Sequence, residues 1–173
     1  AVGVKIYVDA VFNNWANGGG GRGTGGSDWS TANYPRFKGN DFHSECIINN
    51  YGDRHQVQNC RLSNMPDLNT GSDYVQNEVA TYMKTLMGWG VAGFRIDAAK
   101  HMAVSDLQGI LNKAGNPFVY LEVIGAGGEP VQPTEYLGLG KVTEFNYSYG
   151  VSDAFGNGQP QSSTFDLNSR HAK

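Results

Sequence analysis

Apolar and polar residues alternate through GFRIDAAKH at residues 93–101. Phe94 and Ile96 interleave with Arg95 and Asp97, the period of a strand whose successive side chains point to opposite faces. Arg95 and Asp97 therefore share a face, and the guanidinium is expected to hold the carboxylate ionised. Gly90 and Gly93 lie at the start of this strand, and Lys100 and His101 follow it. Charge at the carboxyl end of a short apolar strand suits a barrel mouth better than a core. Taken alone, the stretch also reads as a surface strand with a solvated ion pair.

Two further runs share this form. Residues 4–13 read VKIYVDAVFN, with Asp9 near the carboxyl end and Asn13 beyond it. Residues 117–124 read PFVYLEVI, with Glu122 near the end. An unpaired carboxylate in an apolar strand is costly to bury. Three such strands in succession suggest parallel strands delivering acids to one pocket.

The segments between them have helical or irregular character. Residues 72–87 predict a helix: Ser72 is a candidate cap and Asp73 complements the dipole. Val75, Val79, Tyr82, Met83 and Leu86 form its apolar stripe, and Gly88 and Gly90 end it. A shorter helix is expected over 105–113, a strand over 118–123 and a last strand over 141–147. Residues 150–173 are polar and show no recognisable element. Alternating strands and helices imply a parallel sheet. Residues 14–70 are rich in Gly, Asn, Asp and aromatics, with little periodicity. A structureless loop of that length is improbable in a compact domain, so an inserted irregular lobe is expected. The expected division is 1–13 with 71–173, and 14–70.

Composition narrows the classes. With 173 residues, 39% hydrophobic and net charge −3, the chain suits a soluble globular unit. Mild acidity argues against nucleic acid or an anionic membrane as partner. No apolar run approaches the roughly 20 residues of a membrane helix. The chain opens directly on a strand, without methionine or signal peptide, and reads as part of something longer. The glycine-rich stretch at residues 17–26 lacks the lysine and following helix of a phosphate-binding loop. Cys46 and Cys60 are compatible with one disulfide in an oxidising compartment or with two unpaired thiols.

DAVFNN from Asp9, GFRIDAAKH from Gly93 and EVI from Glu122 together resemble three signature blocks of the α-amylase family of glycoside hydrolases. The resemblance is to the animal-type enzymes and their bacterial relatives. QNCRLSNMPDL at residues 58–68 and GKVTEFNY at 140–147 also match, in the family's order. The fold this implies is α/β: a partial TIM (β/α)8 barrel, roughly strands three to six, with a small domain inserted after the third.

The resemblance implies retaining endo-hydrolysis of α-1,4-glucosidic bonds in starch, with Asp97 as nucleophile, Glu122 as general acid/base and Arg95 beside them. The apolar sequence neighbours of Glu122 are expected to raise its pKa. It further implies glucan contacts from Tyr51, Leu62, Lys100, His101, Ile124 and Glu129. A calcium ion is implied on the side chains of Asn13 and Asp67 and the carbonyls of Gln58 and His101, and a chloride site that begins with Arg95. It favours a Cys46–Cys60 disulfide and a secreted, extracellular protein. Trp15 and Trp29 are candidates for stacking on sugar or for packing their own lobe. The first block usually ends in Asn-His, the histidine donating to the sugar at the cleavage point; here it ends in Asn13-Asn14. The family's third carboxylate lies in an NHD tripeptide, which this sequence lacks. Two other readings follow: a remnant that binds calcium or glucan without turnover, or a related glucan hydrolase or transferase.

Overall fold

The computed structural model describes residues 3–155. The chain divides into two units at residues 142 and 143. In chain order the first contains β1 (Tyr7–Ala10), β2 (Gly21–Arg22), β3 (Asp28–Trp29), α1 (Arg54–Asn59), α2 (Asp73–Gly88), β4 (Gly93–Ile96), α3 (Val104–Ala114), β5 (Val119–Leu121) and β6 (Lys141–Val142). The second contains α4 (Phe145–Phe155).

Strands β1, β4, β5 and β6 form one parallel sheet in that order. Asp9 pairs in register with Arg95, Arg95 with Tyr120, and Ile96 with Leu121. Every carboxyl end therefore lies on the same side, as in a segment of a barrel. Phe94, Ile96, Val119 and Leu121 are buried, while Arg95 between two of them is half-buried. The helices supply the other side of the core through Val75, Val79 and Met83 of α2 and Leu107, Ile110 and Leu111 of α3. Each fully buried aliphatic side chain contributes about 1.5–3 kcal/mol by leaving water. The two helices pack closely at Gly109, where an added Cβ would lie 2.5 Å from Gln76 Oε1.

Residues 14–70 hold only short elements. The glycine-rich stretch turns into the small antiparallel hairpin of β2 and β3. Trp15, Tyr34, Phe37 and Phe42 pack together, with Trp15 4.8 Å from Tyr34 between ring centroids, and Trp29 stacks on Tyr34. Both tryptophans thus pack their own lobe. Cys46 and Cys60 are joined in a disulfide with sulfurs 2.08 Å apart.

Four expectations need correction. Ser72 occupies the N-cap of α2, but its side chain makes no capping hydrogen bond. Tyr82 of the expected stripe is 41% exposed, and Ala80 is buried instead. The strand expected over 141–147 stops at Val142. Alternating Phe145, Tyr147 and Tyr149 mimic a strand, but the Asn146 N–H is met by the Glu144 carboxylate at 2.8 Å, and the chain continues as α4. That helix also runs through residues 150–155, where no element was expected, while the rest of 150–173 lies outside the described residues.

Candidate active site

Arg95 is the centre of the acidic end of the sheet. Its Nη1 donates to Asp9 Oδ1 at 2.5 Å and to Asp97 Oδ1 at 2.9 Å. Its Nη2 lies 2.8 Å from Glu122 Oε1. One guanidinium thus spans the ends of three adjacent parallel strands. Glu122 Oε2 also accepts the Ala98 N–H at 3.0 Å. Ala98 has φ 50° and ψ 34°, a left-handed conformation that costs a non-glycine residue roughly 1–2 kcal/mol. Such outliers cluster where the surroundings over-determine the backbone.

The electrostatics differ from the simple ion pair read in the sequence. Burial pushes the Asp97 carboxyl up, the Arg95 hydrogen bond pulls it down, and the Glu122 charge pushes it up again; the net direction is upward. Arg95 does not fully offset burial because it is divided among three carboxylates. Its own pKa is lowered by burial but raised on balance by Asp9, Asp97 and Glu122. Glu122 is not in the apolar setting its sequence neighbours suggest. Adjacent strand residues point to opposite faces, so its carboxylate meets Arg95 and Ala98 instead.

Beside Glu122 is a cavity of about 290 Å³. Its lining contains Tyr51, Leu62, Lys100, His101, Ile124 and Glu129, together with Glu122, Ala98 and Ala126. The six residues singled out for glucan contact are therefore brought together from the inserted lobe and two barrel loops. Asp97 and Arg95 are not part of that lining. Lys100 is buried; its ammonium donates to the Ile124 carbonyl at 2.6 Å, ion-pairs with Glu129 and lies 5.1 Å from the Tyr51 ring centre. His101 Nδ1 faces the Val57 carbonyl at 2.8 Å. A carbonyl only accepts, so Nδ1 carries the proton and Nε2 is the free ring nitrogen. Burial lowers the His101 pKa, with Val57 opposing, and favours this neutral form.

A second polar cluster stitches the lobe to β1. The backbone of residues 13–15 runs beside 66–68, with Leu68 N donating to Asn13 O and Trp15 N to Pro66 O, both at 3.0 Å. Asn13 and Asp67 are each 1% exposed. Asn13 Nδ2 donates to Asp67 Oδ1 at 3.0 Å, and His43 Nδ1 donates to Asp67 Oδ2 at 2.6 Å. Burial pushes the Asp67 carboxyl up against the pull of His43 and Asn13. Asn13 Oδ1 is buried with no protein partner. Leaving such an acceptor unpaired costs about 1–3 kcal/mol, so the cluster fits a hard cation that takes oxygen ligands. Gln58 and His101 lie on segments in contact: Gln58 Nε2 donates to Tyr136 OH at 3.2 Å, and that hydroxyl donates to Met102 O at 2.8 Å. Among the described residues no three His, Cys, Asp or Glu side chains form a metal-ligand group. Any ion here would rest on amide, carbonyl and single carboxylate oxygens.

The model for the alpha amylase catalytic domain matches residues 1–115. The chain belongs to the α-amylase family. The alpha-amylase of Aeromonas hydrophila is 57% identical over 163 residues, covering 92% of this chain and 36% of that protein. The alpha-amylase of Tribolium castaneum is 45% identical over 174 residues, covering 91% and 35%. The crystal structure of wild-type alpha-amylase I from Eisenia fetida matches with TM-score 0.83 at 40% identity, covering 90% of this chain and 36% of that one. A maltohexaose complex of a mutant of that enzyme matches with TM-score 0.82 at 41% identity. This α-amylase-family chain spans little more than a third of the length of these relatives.

Several participants were not legible as site residues. Asp9 was read as one of three strand-end acids, but its place on Arg95 depends on the register of β1 with β4. His43 carries no motif and meets Asp67 only through the folding of the lobe. Tyr136, fully buried, has its phenol pushed up to about 12 by burial and ties the turn after Lys100 to α1. The Ala98 N–H has no side-chain signature at all.

Proposed function

We propose that this α-amylase-family chain carries the reacting carboxyls of a retaining endo-hydrolase of α-1,4-glucans, with starch as the substrate class. The observation that carries the reading is the shared guanidinium: Arg95 holds Asp97 and Glu122 at the carboxyl ends of adjacent parallel strands. Retaining enzymes need two carboxyl groups about 5–5.5 Å apart. Asp97 attacks the anomeric carbon as a carboxylate, and the bond to the leaving oxygen breaks as protonated Glu122 gives that oxygen its proton. Water then attacks the glycosyl ester while Glu122 takes its proton back, which frees Asp97. Arg95 keeps both groups in place while charge moves between them.

In this reading the cavity beside Glu122 receives sugar rings. Tyr51 offers a ring face, His101 Nε2 and Glu129 offer polar atoms, and Leu62 and Ile124 exclude water. Asn13, Asp67 and the carbonyls of Gln58 and His101 would hold calcium, which when bound supplies a cross-link between lobe and barrel rather than a reacting group. Chloride is a poorer fit. Both terminal nitrogens of Arg95 carry carboxylates, which leaves the guanidinium few donors for an anion. The disulfide supports an extracellular location. No helix of the described residues is long and apolar enough to cross a membrane.

The test is release of reducing ends from soluble starch by the purified chain, beside Asp97→Asn and Glu122→Gln controls. Activity in the parent and loss in both controls supports the assignment. Equal activity in parent and controls rejects it. Retained maltooligosaccharide binding with no turnover would favour the binding remnant, which the intact cavity lining also supports.

A further inference from the structure

The geometry points to Asn14 as a positioning residue that aims the Asn13 amide oxygen into the cation cradle. This rests on the calcium reading above. Asn13 Nδ2 has two hydrogens, and both have acceptors: Asp67 Oδ1 at 3.0 Å and Asn14 Oδ1 at 3.2 Å. A carboxylate accepts, and the nitrogen end of the Asn13 amide faces it. Turning the amide over would set its oxygen against the Asp67 carboxylate. As the side chains stand, the Asn14 amide oxygen takes the second hydrogen and holds the plane of the group, and Oδ1 is left as the buried atom without a protein partner.

The backbone makes this geometry possible. Asn14 and Asp67 form an isolated antiparallel bridge, which brings all three side chains to one place. Asn14 is half-buried and does not line the cavity beside Glu122. The residue that in the resembling block follows the metal-side asparagine as a sugar donor is here turned toward the cradle. Its amide oxygen acts on Asn13, outside the set of groups that touch the ion. Partners of this kind orient a ligand and tune affinity without binding the metal themselves.

The experiment is calcium titration by calorimetry of the metal-free chain, for the parent, Asn14→Ala, Asn13→Ala and the double variant, with circular dichroism to verify folding. Asn14→Ala is expected to raise the calcium Kd on the order of tenfold, the lower end for such partners. In the Asn13→Ala background the same change should add nothing, because Asn14 acts through that amide. Asn14→Asp keeps the acceptor and should bind calcium at least as tightly as the parent. The inference is overturned if Asn14→Ala leaves Kd unchanged, if it weakens binding equally in both backgrounds, or if Asn14→Asp binds more weakly than the parent. A parent chain that binds no calcium is a separate result: it removes the calcium reading itself.

Discussion

Arg95 Nη2 and Glu122 Oε1 lie 2.8 Å apart across two parallel strands, while Arg95 Nη1 holds Asp97 on its own strand. Replacing Arg95 by lysine keeps one charge but removes the fork that reaches three carboxylates at once. Arg95→Lys should lower kcat/KM on starch on the order of a hundredfold, the loss expected when reacting groups move by about 1 Å. The melting temperature should fall modestly, because the pairs are about a quarter exposed and partly screened. Kinetics within a few-fold of the parent would show that the bridge is not needed for alignment.

The raised carboxyl of Asp97 gives a pH dependence with a definite sign. A group whose pKa is higher folded than unfolded binds its proton more tightly in the folded state. Its ionisation therefore costs stability above the folded value, and the cost disappears as pH falls below the unfolded value. Asp9, Arg95 and Glu122 face it, with Glu122 and Asp9 adding to the upward shift that burial begins. Asp97→Asn should be more stable than the parent near pH 7, with the gap closing as pH falls toward about 4. Thermal melts across that range check the slope; a gap that widens on acidification would contradict it. The acid limb of kcat/KM should likewise lie above the ordinary aspartate range.

Calcium removal should loosen the junction of lobe and barrel. An ion bound only by the folded state at about 100 times its Kd stabilises by about 2.7 kcal/mol. A chelator should lower the melting temperature of the parent, and much less that of Asn13→Ala. Elemental analysis showing no metal, together with an unchanged melt in chelator, would remove the site.

Tyr136→Phe tests the buried hydroxyl that joins Gln58 to the turn after Lys100. The change leaves the Met102 carbonyl without its 2.8 Å donor. Gln58 Nε2 still reaches that carbonyl at 3.5 Å, so the cost should be about 0.5–1.5 kcal/mol, the range for one lost hydrogen bond. Urea denaturation measures this, and maltooligosaccharide affinity should fall with it because Lys100 and His101 sit on the same turn. A loss of stability under about 0.5 kcal/mol would place the hydroxyl among ordinary surface contacts.

Local pattern alone determined the order of the four sheet strands with α2 and α3 between them, and the carboxyl-end position of the acids. The alternation of Phe94 and Ile96 with Arg95 and Asp97 needs only the two-residue period of a strand. The stripe of α2 needs only the helical period, and the motifs around Asp9, Asp97 and Glu122 carried the family with them. The same local rule misread residues 145–149, because alternating aromatics cannot show that the Glu144 carboxylate starts a helix. Tertiary structure alone decided what each acid faces. Glu122 meets a guanidinium rather than its apolar neighbours, Asp97 shares that guanidinium with two other acids, and Asn14 meets Asn13 and Asp67 rather than the cavity. These contacts join residues from about two dozen to more than eighty positions apart, or depend on a backbone bridge of that span. Their energies come from burial and charge at distances of a few ångströms, which sequence order does not contain.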